Sequence, residues 1–401
     1  MAQPHAEIVL SPLETQRLHA HLSATLDWLK EAQDVQRDGG VSALYSLARG
    51  WHSSYPETTG YIIPTMLNVW DALGDESCLE RAAAMAQWLL GLQHADGAFP
   101  GDRAGRLSGP SVFNTGQILF GLIRIYQVTR EQRYLDAAHR AGRWLVQVQD
   151  PDGAWRASDY LGKTHTYNTR TAWPLLLLHE ETQEPDFLRA GRANVHWAVT
   201  RADESGFFSH CAFDPQDNGH GYGLGASLRT LVRSRTLPSF FTTASLHAIA
   251  YAIQGLLESA WLLKDDVAEA SARRAARVLG EHIMAGRLAG WYAPGWKPAA
   301  RSSCLTGVAQ MCIVWLRMVE RDDHPLARSA ADRAIDFLCR CQNIHSPNPA
   351  IRGGLAGSKP FYGLYHPFRY PNWAAKFWAD ALLLAIGLSS QPDLLPRLRT
   401  W

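Results

Sequence analysis

Side chains that could transfer a proton recur at the start of apolar segments in this chain. His247 and Tyr251 are four residues apart, so they share one face of a helix. Tyr167 begins a polar stretch that ends at Arg170 and then becomes apolar. Histidine and tyrosine can act as an acid and a base on opposite faces of a substrate. The pattern therefore predicts that His247, Tyr251 and Tyr167 are catalytic.

A second set of side chains is suited to binding a polyhydroxylated ligand. Its members stand in the first turns of the same kind of segment and carry charges, amides or aromatic faces. They are Arg170, Lys376, Glu57, Asn114, Asn168, Gln310, Asn372 and Trp373. Arg170 and Lys376 are predicted to hold a carboxylate, since positive charges at helix starts oppose the helix dipole and call for an anionic partner. Glu57, Asn114, Gln310 and Asn372 are predicted to bind hydroxyl groups.

Structural roles compete with these assignments. Asparagine at a helix start is most often a cap. Arg170 could pair with Glu57 across the molecule, and His247 could be a hydrogen-bonded core residue. No regular spacing of histidine and cysteine favours a metal, so neither a metal nor a cofactor is expected.

The elements that must position these residues form six similar units. Each unit has an outer helix, a turn with glycine, a long loop and an inner helix. The turn glycines are Gly40, Gly97, Gly153, Gly206, Gly290 and Gly353. The inner helices are expected to begin near Glu57, Asn114, Asn168, Ser245, Cys304 and Pro371. Each hairpin can bury its apolar face only against its neighbours. The chain is therefore predicted to be an all-α (α/α)6 toroid, one domain over 1–401, without strands.

Long loops lead into the inner helices, whereas short ones lead out of them. Long loops in a compact domain are usually functional, so the site is expected at the end of the ring where the inner helices begin. Residues 214–240, rich in glycine and arginine, read as a loop insertion over this mouth.

Composition excludes several classes of partner. The 39 basic and 38 acidic residues almost cancel, so nothing favours nucleic acid. No apolar run of about 18 residues and no secretion signal stand out, and the six cysteines form no regular framework. A soluble cytoplasmic protein with reduced thiols is expected, its oligomeric state left open.

Several motifs resemble those of known families. The glutamine, Asp-Gly and aromatic pattern of Gln93 to Phe99 and Gln149 to Trp155 resembles the QW-type repeat of squalene-hopene cyclases and prenyltransferase β-subunits. The segments 54–61, 167–170 and 371–377 resemble bacterial exopolysaccharide-biosynthesis proteins of the Vibrio polysaccharide type. Tyr167 and Arg170 in a toroid are also similar to the C-terminal domain of glucuronyl C5-epimerases.

The residues and the resemblances together suggest a polysaccharide-biosynthesis or modification enzyme. It would remove a proton beside a carboxylate in a uronic-acid-containing glycan or lipid-linked oligosaccharide, as a C5-epimerase or a lyase. A glycoside hydrolase is the first alternative, with Glu57 and either Asp159 or Asp214 as its carboxylates. A non-catalytic glycan-binding or assembly protein and a terpenoid or prenyl-lipid cyclase are the others.

Overall fold

The structure is a computed structural model that describes residues 12–106, 108–212 and 243–390, together with Asp393, Leu395 and Leu398. The insertion predicted at 214–240 lies outside the described residues. Over the described part, outer and inner helices alternate along the chain as the repeat pattern predicts.

The helices form six hairpins. The outer helices are α1 (Pro12–Asp34), α3 (Glu76–Leu90), α5 (Gln132–Gln147), α7 (Pro185–Val199), α9 (Asp266–Met284) and α11 (Pro325–Cys341). The inner helices are α2 (Pro56–Leu73), α4 (Val112–Thr129), α6 (Thr169–Thr182), α8 (Leu246–Leu263), α10 (Leu305–Asp322) and α12 (Asn372–Ser390). The predicted fold class, an all-α (α/α)6 toroid, is confirmed.

The inner helices form a closed ring. Each packs against the inner helices before and after it, and α12 packs against α2 to complete the circle. Almost every residue of the first three turns of α2, α4, α8 and α10 is buried. The outer helices bury only one face, as expected for an outer layer. By length and composition, helix α8 could cross a membrane, which the sequence analysis did not predict. However, 83% of its apolar window is buried inside the ring.

A repeated glutamine ties successive outer helices together. Gln93 donates its side-chain amide to the carbonyls of Gly97 (3.0 Å) and Ala137 in α5 (2.8 Å). Gln33 and Gln149 make the same two kinds of contact, whereas Gln342 donates to the carbonyl of Gly353 and to the hydroxyl of Thr25. The glutamines in this position are Gln33, Gln93, Gln149 and Gln342. Gly97 has a φ of +97° and lies against the backbone of Arg140, so a side chain there would be strained and would clash. The motif that resembles a QW repeat therefore sets the spacing of the outer ring.

Short strands occur in the loops at the mouth, which the sequence did not predict. One antiparallel sheet has the order β2–β1–β8 and joins the loops of the first and last units. Its strands are β1 (Leu44–Ser46), β2 (Gly50–Trp51) and β8 (Arg369–Pro371). A second sheet joins β3 (Ala244–Ser245), β4 (Trp291–Ala293) and β5 (Lys297–Pro298), and β6 (Ser303–Cys304) pairs with β7 (Ser358–Lys359). Segments of two or three residues are too short to show an alternating pattern.

A buried ion pair lies at the axis of the ring. Lys376 Nζ is 2.7 Å from Asp380 Oδ2, and both side chains are almost completely buried. Thr65 in α2 donates its hydroxyl to Asp380 (2.8 Å), and the ammonium lies over the rings of Tyr61 and Phe377. The pair therefore links the last inner helix to the first at the point of ring closure.

Loss of this pair should destabilise the protein strongly. Asp380→Asn leaves the ammonium of Lys376 buried without its counter-charge, and we expect the free energy of unfolding to fall by about 3–5 kcal/mol. The matched control is Asp336→Asn, which removes an exposed pair with Arg17 and should cost less than about 1 kcal/mol. Chemical denaturation measures both. Equal losses in the two variants would contradict a special role for the axial pair.

Candidate active site

A cavity of about 610 Å³ opens at the end of the ring where the inner helices begin. Its volume is within the range of about 300–1,000 Å³ that small-molecule sites occupy. Its walls come from the first turns of the inner helices and the loops that precede them. Residues that line it include Tyr55, Glu57, Asp102, Arg106, Phe113, Asn114, Asp159, Tyr167, His247, Tyr251, Tyr365, His366 and Trp373.

Glu57 is a buried carboxyl in the first turn of α2. Pro56 starts this helix after Tyr55, whose backbone is extended. Burial raises the pKa of Glu57 from 4.5 to about 7, while a hydrogen bond from Tyr55 and the positive charge of Arg170 act in the opposite direction. A carboxyl with a pKa near neutrality can exchange a proton at physiological pH.

Asp159 is a second carboxyl in the same wall. It precedes a short 3-10 helix, and its Oδ1 accepts a hydrogen bond from the backbone amide of Tyr160 (2.8 Å). Its Oδ2 accepts from the side-chain amide of Asn168 (2.6 Å). Burial raises the pKa of Asp159 from 3.8 to about 7, although both hydrogen bonds act to lower it. The groups that favour its ionised form are thus neutral donors.

Tyr167 lines the same cavity as the two carboxyls. The charges of Asp159 and Glu57 add to burial in raising the pKa of its phenol well above 10. Its ring is stacked on His165 (4.6 Å between centroids, 15° between planes) and meets Phe113 edge-on (5.1 Å). The phenol is therefore protonated and held in a fixed orientation.

His247 lines the cavity as a neutral imidazole. Its Nδ1 is 2.7 Å from Oε1 of Gln310, and since an amide oxygen can only accept, Nδ1 carries the proton. Burial lowers the pKa of His247 to about 3. The remaining nitrogen, Nε2, is therefore the basic one. The ring contacts that of Tyr251 (4.3 Å), as their spacing predicts, and the Tyr251 hydroxyl donates to that of Tyr61 (3.4 Å).

Six of the predicted site residues line the cavity, and five do not. Those that line it are Glu57, Asn114, Tyr167, His247, Tyr251 and Trp373. Arg170 and Lys376 are fully buried beneath it. Arg170 donates to Gln117 (3.3 Å) and Gln254 (3.1 Å), and Lys376 pairs with Asp380. The expectation that these two cations touch a carboxylate of the substrate is not supported by this geometry, because other inner helices enclose both.

The other three residues that do not line the cavity support it from behind. Asn168 holds Asp159, and Gln310 holds His247. Asn372 donates its amide to the carbonyl of Ser42 (2.9 Å) and to the hydroxyl of Thr58 (2.8 Å). Among the predicted residues that line the cavity, Asn114 donates to the carbonyl of Pro100 (2.9 Å). Most of the amide side chains predicted to bind the ligand thus hold loops or other site residues in place.

Several residues of the site escaped the sequence reasoning. Asp102, Arg106, Tyr365 and His366 all come from loops between outer and inner helices. The only sequence signal for them was the length of these loops, which predicted that the site lies at this end of the ring. Trp373 donates its indole N–H to the hydroxyl of Tyr365 (2.8 Å), which fixes Tyr365 in the wall.

The walls carry more acidic than basic side chains. Glu57, Asp102 and Asp159 contribute carboxyls, whereas Arg106 is the one lysine or arginine among the described residues around the cavity. Asp102 lies between two arginines, since its carboxylate is 3.7 Å from Arg106 and 3.5 Å from Arg103. Over the described residues, no group of three or more histidine, cysteine, aspartate or glutamate side chains could hold a metal ion.

Comparison with known proteins identifies one family and a group of similar folds. Residues 9–218 match the family model of the β-L-arabinofuranosidase GH127 catalytic domain. A search of curated proteins finds no match. Among solved structures, an unsaturated glucuronyl hydrolase specific for heparin superposes with a TM-score of 0.70 at 14% identity, covering 92% of this chain and 96% of the other.

Two further structures give the same result. The cellobiose 2-epimerase of Bacillus thermoamylovorans B4167 has a TM-score of 0.68 at 12% identity, with 94% and 99% of the two chains covered. The unsaturated glucuronyl hydrolase of Bacillus sp. GL1 has a TM-score of 0.66 at 15% identity, with 92% and 95% covered. At such identities the likeness concerns the fold. These matches do not support the resemblance to Vibrio exopolysaccharide proteins or to QW repeats.

The burial of Glu57 should make stability depend on pH. Its side chain ionises near pH 4.5 when unfolded and near pH 7 when folded, so the native state holds the extra proton between these values. The free energy of unfolding therefore falls as pH rises from about 4.5 to 7. Glu57→Gln should remove this loss and exceed the wild type by on the order of 3 kcal/mol above pH 7.

Denaturant unfolding at pH 4.5, 6 and 8 measures the effect. The difference between Glu57→Gln and wild type should vanish at the lowest pH. Asp336→Asn, on the outer surface, serves as the control. A difference that is the same at all three pH values would contradict a raised pKa for Glu57.

Proposed function

Because this chain belongs to the family of the β-L-arabinofuranosidase GH127 catalytic domain, we propose that this carbohydrate-active (α/α)6 toroid is a glycoside hydrolase. The observation that carries the proposal is the presence of two carboxyls, Glu57 and Asp159, in the wall of one aromatic-lined cavity. Glycoside hydrolysis commonly needs two such groups, one to protonate the leaving oxygen and one to act as nucleophile or base. Hydrolysis was the first alternative to proton abstraction on sequence alone, and it is now the preferred hypothesis.

The surroundings of the two carboxyls favour different roles. The charge of Arg170 and the hydroxyl of Tyr55 stabilise the ionised form of Glu57, which suits a nucleophile or general base. Asp159 is held by two neutral donors and its pKa is raised further from its ordinary value, which suits a general acid. Tyr167, which lines the same cavity, can donate its hydroxyl to the substrate or to the attacking water.

The charge of the lining favours a neutral sugar. Among the described residues around the cavity acidic side chains outnumber basic ones, and a carboxylate that ionises there would repel a uronate. Arg170 and Lys376, the cations assigned to a uronate carboxylate from the sequence, are enclosed below the cavity. A neutral glycan therefore replaces the uronic-acid glycan as the proposed substrate. The aromatic rings Phe113, Tyr251 and Trp373 would pack against its apolar faces.

Proton abstraction from a sugar is the second candidate. His247 has a neutral ring whose tautomer is set by Gln310, so Nε2 is the nitrogen that would accept a proton, and burial, which holds the pKa of the ring near 3, makes it a weak base. Tyr251 is in contact with His247, so the acid on the opposite face of the substrate would be Tyr167, which also lines the cavity. An epimerase or a lyase would use this pair, and the toroid fold is shared with a cellobiose 2-epimerase.

Hydrolysis can be tested on a panel of 4-nitrophenyl glycosides of neutral sugars that includes the β-L-arabinofuranoside. We expect release of nitrophenol by the wild type, with kcat/KM lowered about 10²–10⁴-fold in Glu57→Gln and in Asp159→Asn. The matched control is Asp71→Asn, which changes a carboxyl at the opposite end of α2. Activity that survives in both cavity variants, or no hydrolysis of any glycoside, would contradict the proposal.

Proton abstraction can be tested by solvent-deuterium exchange into free neutral and acidic sugars. The second candidate predicts deuterium at the carbon next to the carbonyl or carboxylate, with the rate lowered about 10²–10⁴-fold in His247→Ala. Tyr251→Phe should slow it as well, whereas Asp71→Asn should not. Products free of deuterium with every sugar would remove this candidate and leave hydrolysis.

A further inference from the structure

Exposed apolar side chains gather beside the cavity mouth. Tyr362 is 69% exposed, Leu47 48% and Phe368 46%, and the two aromatic residues are the only exposed ones in the described part of the chain. The backbone amide of Leu47 donates to the carbonyl of Phe368 (3.2 Å), and that of Phe368 donates to the carbonyl of Phe361 (3.0 Å), next to Tyr362. Single exposed apolar residues are ordinary, but a joined group of them is not.

The same loop contributes to the cavity wall. Tyr365 and His366 lie between Tyr362 and Phe368 in sequence and both are buried in the lining. Ser358 fixes this part of the loop, because its hydroxyl accepts from the amide of Tyr365 (3.0 Å) and donates to its carbonyl (2.6 Å). The exposed group is therefore continuous with the cavity through a few residues of fixed backbone.

The backbone of this loop is strained where it changes direction. His366 has a φ of +46° and Phe368 a φ of +57°, although neither is a glycine. Each such conformation costs on the order of 1–3 kcal/mol, and these outliers gather at functional sites. The strained turn puts His366 into the cavity wall, with 5% exposure, and Phe368 into solvent, with 46%.

From these observations we propose that Leu47, Tyr362 and Phe368 form a subsite for the sugar units of a glycan chain whose end is in the cavity. We call this group the rim platform. The inference rests on the proposed function and names its substrate class, an oligosaccharide or polysaccharide of neutral sugars rather than a simple glycoside. Aromatic rings can pack against the C–H faces of sugar rings without any charge on the ligand.

The rim platform is supported by rings below it. Phe361 meets Phe368 edge-on at 5.6 Å and contacts Tyr370 at 5.3 Å. Tyr370 pairs with Tyr45 across strands β8 and β1, and Tyr45 meets Trp51 at 5.3 Å. Phe368 therefore stands on a packed aromatic base, so its ring loses little side-chain entropy when a sugar binds.

The double variant Tyr362→Ala/Phe368→Ala tests the proposal. The quantity measured is the ratio of kcat/KM for an oligosaccharide to kcat/KM for the 4-nitrophenyl glycoside of the same sugar. We expect this ratio to fall about tenfold, which corresponds to about 1.4 kcal/mol of lost binding. Leu73→Ala, which trims an exposed side chain at the opposite end of α2, should leave the ratio at its wild-type value. An unchanged ratio in the double variant would overturn the rim platform.

Binding measurements separate this proposal from the proposed function. If the wild type hydrolyses no glycoside, calorimetric titration of neutral oligosaccharides into the wild type and the double variant still decides. Affinity that falls about tenfold in the double variant supports the platform, and equal affinity overturns it. A wild-type dimer that becomes a monomer in the double variant, with oligosaccharide affinity unchanged, would assign the surface to a second copy of this chain and also overturn the proposal.

Discussion

Burial of charge at the axis of the ring is the constraint on which both the fold and the site depend. Lys376, Asp380 and Arg170 lie between the inner helices without exposure to water. Burial lowers the pKa of Lys376 to about 8 and that of Arg170 to about 10, and it raises the pKa of Asp380. Desolvating an ion costs several kcal/mol. The ring can close on these charges only because Asp380 and the faces of Tyr61 and Phe377 surround the ammonium.

The axis also acts on the cavity above it. Arg170 lies over the rings of Phe120, Trp173 and Tyr251, and its charge lowers the pKa that burial alone would give Glu57. A residue assigned to ligand binding from the sequence can thus influence the chemistry without touching the ligand. Its position depends on close packing between α4, α6 and α8. The packing of these helices therefore also sets the electrostatic environment of the site.

The sequence predicted the ring well because its signals are local. Gly97, Gly153, Gly206 and Gly353 have the left-handed backbone that favours glycine. Gly40 and Gly290 do not, and in the first unit the left-handed residue is Gly39. The spacing of the turns still gives the number of hairpins. The direction of side chains on the inner helices was not predictable in the same way. All faces of an inner helix are buried, so hydrophobic periodicity does not tell which face meets the cavity. Tyr167 and Arg170 were therefore both predicted to face the ligand, although only Tyr167 lines the cavity. Asp159 was named as one of two possible loop acids, because its position depends on Asn168, which no pattern reveals.

The surroundings of the two carboxyls suggest how two groups with similar pKa values become an acid and a base. Glu57 and Asp159 each have a pKa near 7 in the open cavity, so neither role is fixed by burial alone. A sugar that enters the cavity displaces water and raises the cost of ionisation for both. Glu57 keeps the nearby charge of Arg170, whereas Asp159 has only the neutral amides of Tyr160 and Asn168. Substrate binding should therefore raise the pKa of Asp159 more than that of Glu57, and the difference between acid and base would arise as the substrate is bound.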